Sequence, residues 1–202
     1  QAQPRQSLRD RGMTAPTLVG ERVTLRAHRD DDRAARQRHG WHREIERGYG
    51  SDCERRAMTD DEIEAWADYL VAKSGLGAVC WAVESDGELI GAAFLSDVRE
   101  SGRKARLAIG MYAPQFLGRG LGSEAIRLVL WHAFGRLGMH RVDLKVLDFN
   151  DRAIAAYRAC GFVEEGRERE SCWVEGQWHD DVVMGVIDRE FAAADPGGAE
   201  PA

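Results

Sequence analysis

An alternation of apolar and polar residues near the start of the chain predicts a first strand. In residues 18–27, Val23, Leu25 and Ala27 are separated by polar residues, which suits a strand with one buried face. Further runs rich in β-branched and aromatic residues predict strands at residues 78–84, 88–95, 105–112, 141–147, 162–174 and 178–187. Turn residues, Ser85-Asp86-Gly87 and Glu175-Gly176, separate two pairs of these runs and predict two hairpins.

A helical spacing of apolar residues marks the middle of the chain. Residues 123–137 place six apolar side chains on one helical face, and Gly138 can end that helix. The six are Ile126, Val129, Leu130, Ala133, Phe134 and Leu137. His132 falls opposite this face, so we expect it at the surface.

Two other parts of the chain also predict helices. The pattern of residues 30–70 favours helix, and Thr59 with Glu62 three positions later forms a capping box. We therefore expect about two short helices there. Residues 151–160 predict a helix that Gly161 ends. The resulting order is strand, helices, three strands, helix, strand, helix and two strands. This order predicts an α/β domain with a mixed sheet.

Composition limits the classes of protein to which the chain can belong. Its 202 residues, 44% hydrophobic and 31% charged, are typical of one globular domain. The net charge of -6, without a basic run, argues against binding to nucleic acid. No stretch is apolar enough to span a membrane, so we expect a cytoplasmic protein. Residues 1–15 and 192–202 lack an apolar face and are expected to be a disordered leader and tail.

Metal and redox chemistry find no support in the pattern of cysteine and histidine. The four cysteines are widely spaced and form no C-x-x-C pair, and the six histidines have no metal-ligand spacing. We therefore expect no bound metal.

A glycine-rich turn precedes the strongest predicted helix and is the main chemical signal. Gly118, Gly120 and Gly122 alternate with Arg119 and Leu121 ahead of Ser123. Glycines in such a turn let successive N–H groups converge on an anion at the positive end of the helix. The turn lacks the Lys of a nucleotide P-loop and the G-x-G-x-x-G spacing of a dinucleotide fold. The diphosphate of coenzyme A remains the best candidate ligand, and a plain strand-to-helix loop is the alternative.

Three segments together resemble the GNAT superfamily of acyl-CoA N-acyltransferases, and particularly its RimJ/RimL-like branch. The resemblance runs from about Leu18 to about Phe191. The segments are Gly118-Arg119-Gly120-Leu121-Gly122-Ser123-Glu124-Ala125, then Asn150-Asp151-Arg152-Ala153-Ile154-Ala155-Ala156-Tyr157-Arg158-Ala159-Cys160-Gly161-Phe162, and finally a hairpin with Gly166-Arg167-Glu168-Arg169-Glu170, Glu175-Gly176-Gln177-Trp178-His179-Asp180 and Met184. Their order and spacing make the resemblance specific.

The resemblance implies a fold and a set of cofactor contacts. It implies one GNAT-like domain over residues 16–191, with a mixed, mostly antiparallel sheet of about seven strands flanked by about four helices. It also implies acetyl-CoA as co-substrate, bound by the loop residues Gly118, Arg119, Gly120, Leu121, Gly122 and Ser123, by the strand-end amides of Met111, Tyr112 and Ala113, and by Asn150. Asn150 could equally be a helix N-cap.

The resemblance also suggests catalytic residues. Tyr157 would be the general acid that protonates the leaving thiolate; its alternative is packing beside Phe162. The family often has a glutamate base in the strand at 105–112, but Leu107 occupies the aligned position. The base is therefore open, and Glu44, Glu46 and Asp97 are candidates, each of which could be only a solvated charge.

Aromatic residues near the predicted early helices have two possible roles. Trp41 and Tyr49 could line the acceptor pocket or could cover the core. Trp173 and Trp178, which flank the last turn, could supply a homodimer surface or could finish the sheet.

The leading functional hypothesis is transfer of an acetyl group to a primary amine. The acceptor could be a protein N-terminus, a polyamine, an amino sugar or an aminoglycoside-like amine. A non-catalytic acyl-CoA-binding sensor is the alternative, since Leu107 replaces the usual base. A nucleotide-dependent oxidoreductase is disfavoured by the spacing of the glycines.

Overall fold

One sheet organises the molecule. The computed structural model describes residues 15–99 and 101–194. Within them lie eight strands: β1 (Leu18–Val19), β2 (Thr24–Arg26), β3 (Val79–Ser85), β4 (Glu88–Arg99), β5 (Lys104–Met111), β6 (Arg141–Leu147), β7 (Val163–Val174) and β8 (Gln177–Ile187). The strand order is β1-β2-β3-β4-β5-β6-β8-β7. β5 and β6 are parallel, and the other neighbours are antiparallel, so the predicted mixed, mostly antiparallel sheet is confirmed.

The first predicted strand is wrong in one respect. Residues 18–27 form two short strands rather than one, because the chain turns at Gly20 and pairs Leu18 with Leu25. The Gly20 N–H donates to the carbonyl of Val23 at 2.8 Å, which closes this turn. The alternation of apolar residues persists on both sides of the turn, so periodicity alone could not reveal it. The described residues therefore contain eight strands instead of about seven.

Six α-helices accompany the sheet in the described part of the chain, where about four were expected. They are α1 (Asp32–His39), α2 (Arg43–Arg47), α3 (Asp60–Gly75), α4 (Leu121–Trp131), α5 (Asp151–Ala159) and α6 (Asp188–Ala194). The predicted capping box is confirmed: Thr59 accepts from the N–H of Glu62, and the Glu62 carboxylate accepts from the N–H of Thr59. Helix α6 was not predicted. It includes residues 192–194 of the expected tail, whereas residues 1–14 and 195–202 lie outside the described residues.

Helix α4 packs its apolar face against the middle of the sheet. Ile126 and Leu130 are 2% and 0% exposed, and they join a core that includes Trp81, Leu25 and Leu144. Burial of such side chains contributes roughly 1.5–3 kcal/mol each. The helix is thereby fixed against the strands, and so is the glycine-rich loop that precedes it.

The expectation that His132 lies at the surface is wrong. His132 is only 8% exposed and packs edge-to-face on Trp81, with ring centroids 5.6 Å apart. The regular helix ends at Trp131, and residues 132–136 form a π-helical turn. His132 lies one turn after Leu128, which is itself buried, so the buried side of α4 is wider than the face predicted from the sequence. Burial, with a smaller contribution from Arg136, lowers the pKa of His132 to about 4.

Candidate active site

The parallel strands β5 and β6 separate partway along their length. Their pairing covers three positions, Lys104 to Arg106 against Arg141 to Asp143. Beyond Arg106, β5 remains paired with β4 as far as Met111, while β6 remains paired with β8. The sheet therefore opens into a V-shaped gap between its two halves, one edge of which is the main chain of β5.

A buried carboxylate holds the two strands together where the gap begins. Asp143, in the last paired position, accepts from Lys104 Nζ at 2.6 Å and from Arg106 Nε at 2.8 Å. Burial opposes ionisation of Asp143, but the hydrogen bonds from Lys104 and Arg106 outweigh it and hold its pKa below the usual value. These ion pairs fix the end of the pairing and hence the depth of the gap.

A cavity of about 460 Å³ fills the gap and extends to the glycine-rich loop. Its walls come from β5, β6, α2, α4 and α5, and from the loop itself. Most of the wall is apolar, with Leu107, Ile109 and Met111 on one side and Val146 on the other. A few polar groups enter it at defined points. This combination is typical of a site for an organic ligand.

The glycine-rich loop lies at one end of the cavity. Gly118, Gly120, Gly122 and Ser123 line it, and Gly118 and Gly120 have φ values of 68° and 78°, which favour glycine. Gly120 is the N-cap of α4, so no N-cap side chain occupies the amides of the first turn. The free N–H groups and the positive end of the helix therefore remain available to an anion.

The edge of β5 offers main-chain groups to the cavity, but not from every predicted residue. The Tyr112 N–H donates to the carbonyl of Ile90 at 2.9 Å, so the expectation that this amide binds the co-substrate is wrong. Neighbouring residues of a strand direct their N–H groups to opposite sides. The N–H of Met111 therefore points away from β4 and toward the gap, and Met111 lines the cavity.

Tyr157 and Asn150 stand on the α5 side of the cavity. Tyr157 lines it although only 8% of the residue is exposed, and its ring also packs on Phe162 with centroids 5.7 Å apart. Burial raises the pKa of Tyr157 well above its ordinary value, so its hydroxyl stays protonated. Asn150 lines the cavity and is also the N-cap of α5, where its side chain accepts from the Ala153 N–H at 3.3 Å. Both roles considered for Asn150 are therefore compatible.

Tyr49, in the turn that follows α2, reaches into the cavity and contacts the open edge of β5. Its hydroxyl donates to the Ile109 carbonyl at 3.2 Å. The hydroxyl passes so close to Gly110 that a Cβ there would stand 1.3 Å from it. The residue is 59% exposed because it faces the cavity. The interpretation of Tyr49 as a core residue is thus excluded, and it lines the cavity beside the open edge of β5.

The three candidate bases occupy different environments. Glu44 lines the cavity, and its carboxylate accepts from Arg152 Nη1 at 2.7 Å. Glu46, on the other side of α2, is half-buried beside Arg36 and Tyr49; burial raises its pKa while Arg36 opposes the rise. Asp97 is 60% exposed, lies 3.8 Å from Arg106 and does not line the cavity. Only Glu44 of these three reaches the cavity wall.

The remaining predicted site residues lie beside the cavity. Trp41 bridges to Arg56 through main-chain hydrogen bonds, and the guanidinium of Arg36 lies 4.9 Å from its ring, so it covers the protein instead of lining the cavity. Ala113 and Leu121 are buried in the core, at 1% and 3% exposure. Arg119 is exposed, and its carbonyl accepts from Arg22 at 2.8 Å.

Several cavity residues were missed by the reasoning from sequence. Lys145 and Arg152 add positive charge to the wall, and Gly110 makes room for the hydroxyl of Tyr49. Arg152 lies inside the segment that carries the resemblance, so its charge was available as a signal. Gly110 carried no local signal, because the need for glycine there arises from a residue 61 positions earlier.

Other features bear on the partners considered. Within residues 15–99 and 101–194, no group of three or more His, Cys, Asp or Glu side chains is placed to hold a metal. No helix of that part of the chain combines the length and apolarity that a membrane crossing needs. Trp173 and Trp178 are 52% and 56% exposed and pack on each other at 5.2 Å. Dimerisation through them stays a prediction.

The family follows from a sequence match that spans this whole site. The profile of the Acetyltransferase (GNAT) domain matches residues 22–163, from the first hairpin to the start of β7. The chain belongs to the GNAT acetyltransferase family. It is accordingly an acyl-CoA-dependent N-acetyltransferase that uses acetyl-CoA as co-substrate.

Similar proteins share the domain and differ in the acceptors that their names state. The chain is 29% identical over 182 residues, 86% of its length and 95% of the relative, to the "Putative ribosomal N-acetyltransferase YdaF" of Bacillus subtilis (strain 168). It is 29% identical to spermidine N(1)-acetyltransferase of Escherichia coli (strain K12) over 56% of this chain and 60% of that protein.

Solved structures of GNAT enzymes match the same fold. The crystal structure of spermidine N-acetyltransferase from Vibrio cholerae in complex with CoA and spermine has a TM-score of 0.71 and 26% identity, covering 85% of this chain and 99% of that one. Mycobacterium smegmatis RimJ in complex with CoA-disulfide has a TM-score of 0.72 at 24% identity, covering 90% and 93% of the two chains, and shows the fold alone.

Proposed function

We propose that the chain transfers the acetyl group of acetyl-CoA to the primary amine of an acceptor that enters the cavity beside Tyr49. One observation carries the proposal: the open edge of β5 leads along a single cavity from Tyr49 and Tyr157 to the uncapped amides of α4. A long co-substrate with a thioester at one end and a diphosphate further along matches this layout. The direct transfer implied by the family requires both substrates in the cavity at once.

The residues of the cavity suit the parts of coenzyme A. The N–H groups at the start of α4, with glycines that leave the loop unobstructed, would hold the diphosphate. The Ile109 N–H and the Met111 carbonyl, which face the gap, would pair with the amides of the pantetheine arm as an added strand does. Asn150 would bind the same arm through the part of its amide that does not cap α5.

The reaction places specific demands on this chain's groups. Acetyl-CoA supplies an activated thioester carbonyl, which a neutral amine can attack. The Met111 N–H, directed into the gap, would stabilise the negative charge that develops on the thioester oxygen. Tyr157, whose hydroxyl remains protonated, would donate its proton to the departing thiolate. An alkyl ammonium has a pKa of about 10.4, so a group of the enzyme must also take a proton from the amine.

We assign the role of base to Glu44. Among Glu44, Glu46 and Asp97, it alone lines the cavity, so only its carboxylate can meet the acceptor directly. The ion pair with Arg152 connects α2 to α5 across the cavity and holds the Glu44 carboxylate in place. Leu107 sits where the family often has a glutamate, and a base supplied by α2 would compensate for that difference.

The charge of the cavity favours an acceptor with one cationic group. Glu44 is the single carboxylate among the described residues that line the cavity, and it already faces Arg152. A polyamine would bring a second ammonium group, for which the described residues of the cavity wall offer no second carboxylate. We therefore propose a peptide N-terminus, as in the RimJ/RimL-like branch and as the name of YdaF suggests.

A panel of amines tests both the proposed acetyl transfer and the proposed peptide acceptor. Purified protein is mixed with acetyl-CoA, and the release of free thiol is followed with an N-terminal peptide, spermidine, an amino sugar and an aminoglycoside. We expect turnover with the peptide and a lower kcat/KM with spermidine. Preference for spermidine would contradict the assignment of the acceptor. Binding of CoA without turnover of any amine would instead favour the non-catalytic sensor.

A further inference from the structure

An arginine of the first hairpin contacts the glycine-rich loop from outside the cavity. Arg22 lies in the turn between β1 and β2, and its Nη1 donates to the Arg119 carbonyl at 2.8 Å. Its Nε donates to Glu124 Oε2 at 3.0 Å. Its Nη2 lies 3.0 Å from the point where a Cβ of Gly120 would stand. One side chain thus contacts the loop and the first turn of α4 together.

The partner of Arg22 is a carboxylate near the proposed diphosphate site. Glu124 lies in the first turn of α4, and its side chain is 16% exposed. Besides Arg22 Nε, it accepts from the main-chain N–H groups of Arg22 at 2.7 Å and Val23 at 3.2 Å. A carboxylate in this position stabilises the helix but would repel a bound diphosphate. The guanidinium of Arg22 neutralises that charge.

The contact with Arg119 also sets the direction of an amide. In a trans peptide the carbonyl of one residue and the N–H of the next point in opposite directions. Arg22 binds the Arg119 carbonyl on the outer side of the loop, so the Gly120 N–H points away from Arg22. Gly120 lines the cavity, and this N–H is therefore turned toward the ligand side.

We propose that Arg22 is a positioning residue for the binding of the coenzyme A diphosphate. Arg22 neutralises Glu124 and orients the Gly120 amide, although it is not part of the cavity wall. The inference rests on the proposed use of this loop for the diphosphate. It assigns a binding function to the first hairpin, whose sequence lies almost a hundred positions before the loop. Arg22 should therefore contribute only to the binding of acetyl donors that carry the diphosphate.

Two arginines on the surface allow a matched comparison. Arg22→Met removes the charge and both hydrogen bonds. Arg127→Met is the control, because Arg127 is an exposed residue of α4 whose guanidinium also donates to a main-chain carbonyl, that of Ala159 at 3.1 Å. Binding of CoA is measured by calorimetry, and kcat/KM is measured with acetyl-CoA and with S-acetylpantetheine, which lacks the diphosphate. Thermal denaturation reports on folding.

We expect Arg22→Met to weaken CoA binding about tenfold, the change that follows from roughly 1.4 kcal/mol. The kcat/KM with S-acetylpantetheine should stay within twofold of wild type, and Arg127→Met should leave both donors unaffected. Adding Glu124→Gln to Arg22→Met should restore part of the affinity, because the uncompensated charge is gone.

The contrary outcomes are distinct from one another. Unchanged CoA binding by folded Arg22→Met, or an equal loss with both donors, overturns the inference while the proposed function stands. No recovery in the double variant overturns the neutralisation of Glu124. Absence of CoA binding by the wild-type chain overturns the proposed function and the inference with it.

Discussion

The contact between Tyr49 and Gly110 leads to a sharp prediction about the acceptor site. Gly110 does not have a positive φ, so alanine is compatible with its backbone. An alanine Cβ would nevertheless stand 1.3 Å from the Tyr49 hydroxyl oxygen and 2.5 Å from its Cζ. Carbon atoms in contact lie about 3.5–4.0 Å apart, so the ring must move by roughly 2 Å. The variant Gly110→Ala should therefore displace Tyr49 from the cavity wall.

The size of the effect follows from what the displacement removes. The hydrogen bond from Tyr49 to the Ile109 carbonyl contributes about 1 kcal/mol. If the ring also positions the acceptor, kcat/KM for the amine should fall about tenfold, which corresponds to roughly 1.4 kcal/mol of transition-state stabilisation. The affinity for CoA should change little, because the glycine-rich loop is untouched. Thiol release at saturating acetyl-CoA, with the amine varied, measures this quantity.

A double-variant cycle separates this mechanism from general damage. In the background of Tyr49→Ala the obstructing ring is absent, so adding Gly110→Ala should cost nothing further. Gly166→Ala is the control, because this strand glycine has open space around its Cβ position. Wild-type kcat/KM for Gly110→Ala would refute the reasoning. Additive losses in the double variant would refute it equally.

Three other changes test the remaining parts of the site. Tyr157→Phe should lower turnover by roughly 10²–10⁴-fold with unchanged CoA affinity, and turnover equal to wild type at saturating substrates would remove Tyr157 from the mechanism. Gly120→Val places a side chain at a φ of 78° and 3.0 Å from Arg22, so CoA should bind more weakly by calorimetry. The KM for the amine should be unchanged, and equal losses of both would indicate misfolding. Asp143→Asn should lower the free energy of unfolding by about 2 kcal/mol and the melting temperature by roughly 4–8 °C. The loss is smaller than for a fully buried ion pair, because Lys104 and Arg106 are partly exposed. The pKa of Asp143 is lowered in the folded state, so its contribution is present above the unfolded pKa of about 3.9 and is lost as the pH falls through the folded value. Equal acid sensitivity of wild type and Asp143→Asn would contradict that assignment.

Local patterns were sufficient to predict most of the framework. The strands β3 and β4 with their Asp-Gly turn, the helix α4 and the capping box of α3 all depend on residues close together in sequence. The glycine-rich loop belongs to the same class, because alternating glycines before an amphipathic helix signal an anion site within a few residues. Tyr157 and Asn150 line the cavity because they belong to α5 and its N-cap, which directly follow β6.

Features that depend on distant residues could not be predicted. The gap between β5 and β6 opens where their pairing stops, and the sequence of either strand alone does not determine that position. The contact of Glu44 with Arg152 joins positions 108 apart, and that of Arg22 with Glu124 joins positions 102 apart. The expectation for His132 was wrong because Ala125 and Leu128 are also buried, so the buried side of α4 is wider than the face judged from its six apolar residues.

The gap between β5 and β6 also has a consequence for how long the folded chain persists. A sheet that ends its pairing early leaves peptide groups of β5 without strand neighbours, and an occupant of the gap supplies them. Any molecule that binds only the folded form shifts the folding equilibrium by RT ln(1 + [L]/Kd), about 2.7 kcal/mol at a hundredfold excess over Kd. The supply of acetyl-CoA would therefore act as a stabiliser of the enzyme, and starvation for it would expose the chain to unfolding and proteolysis.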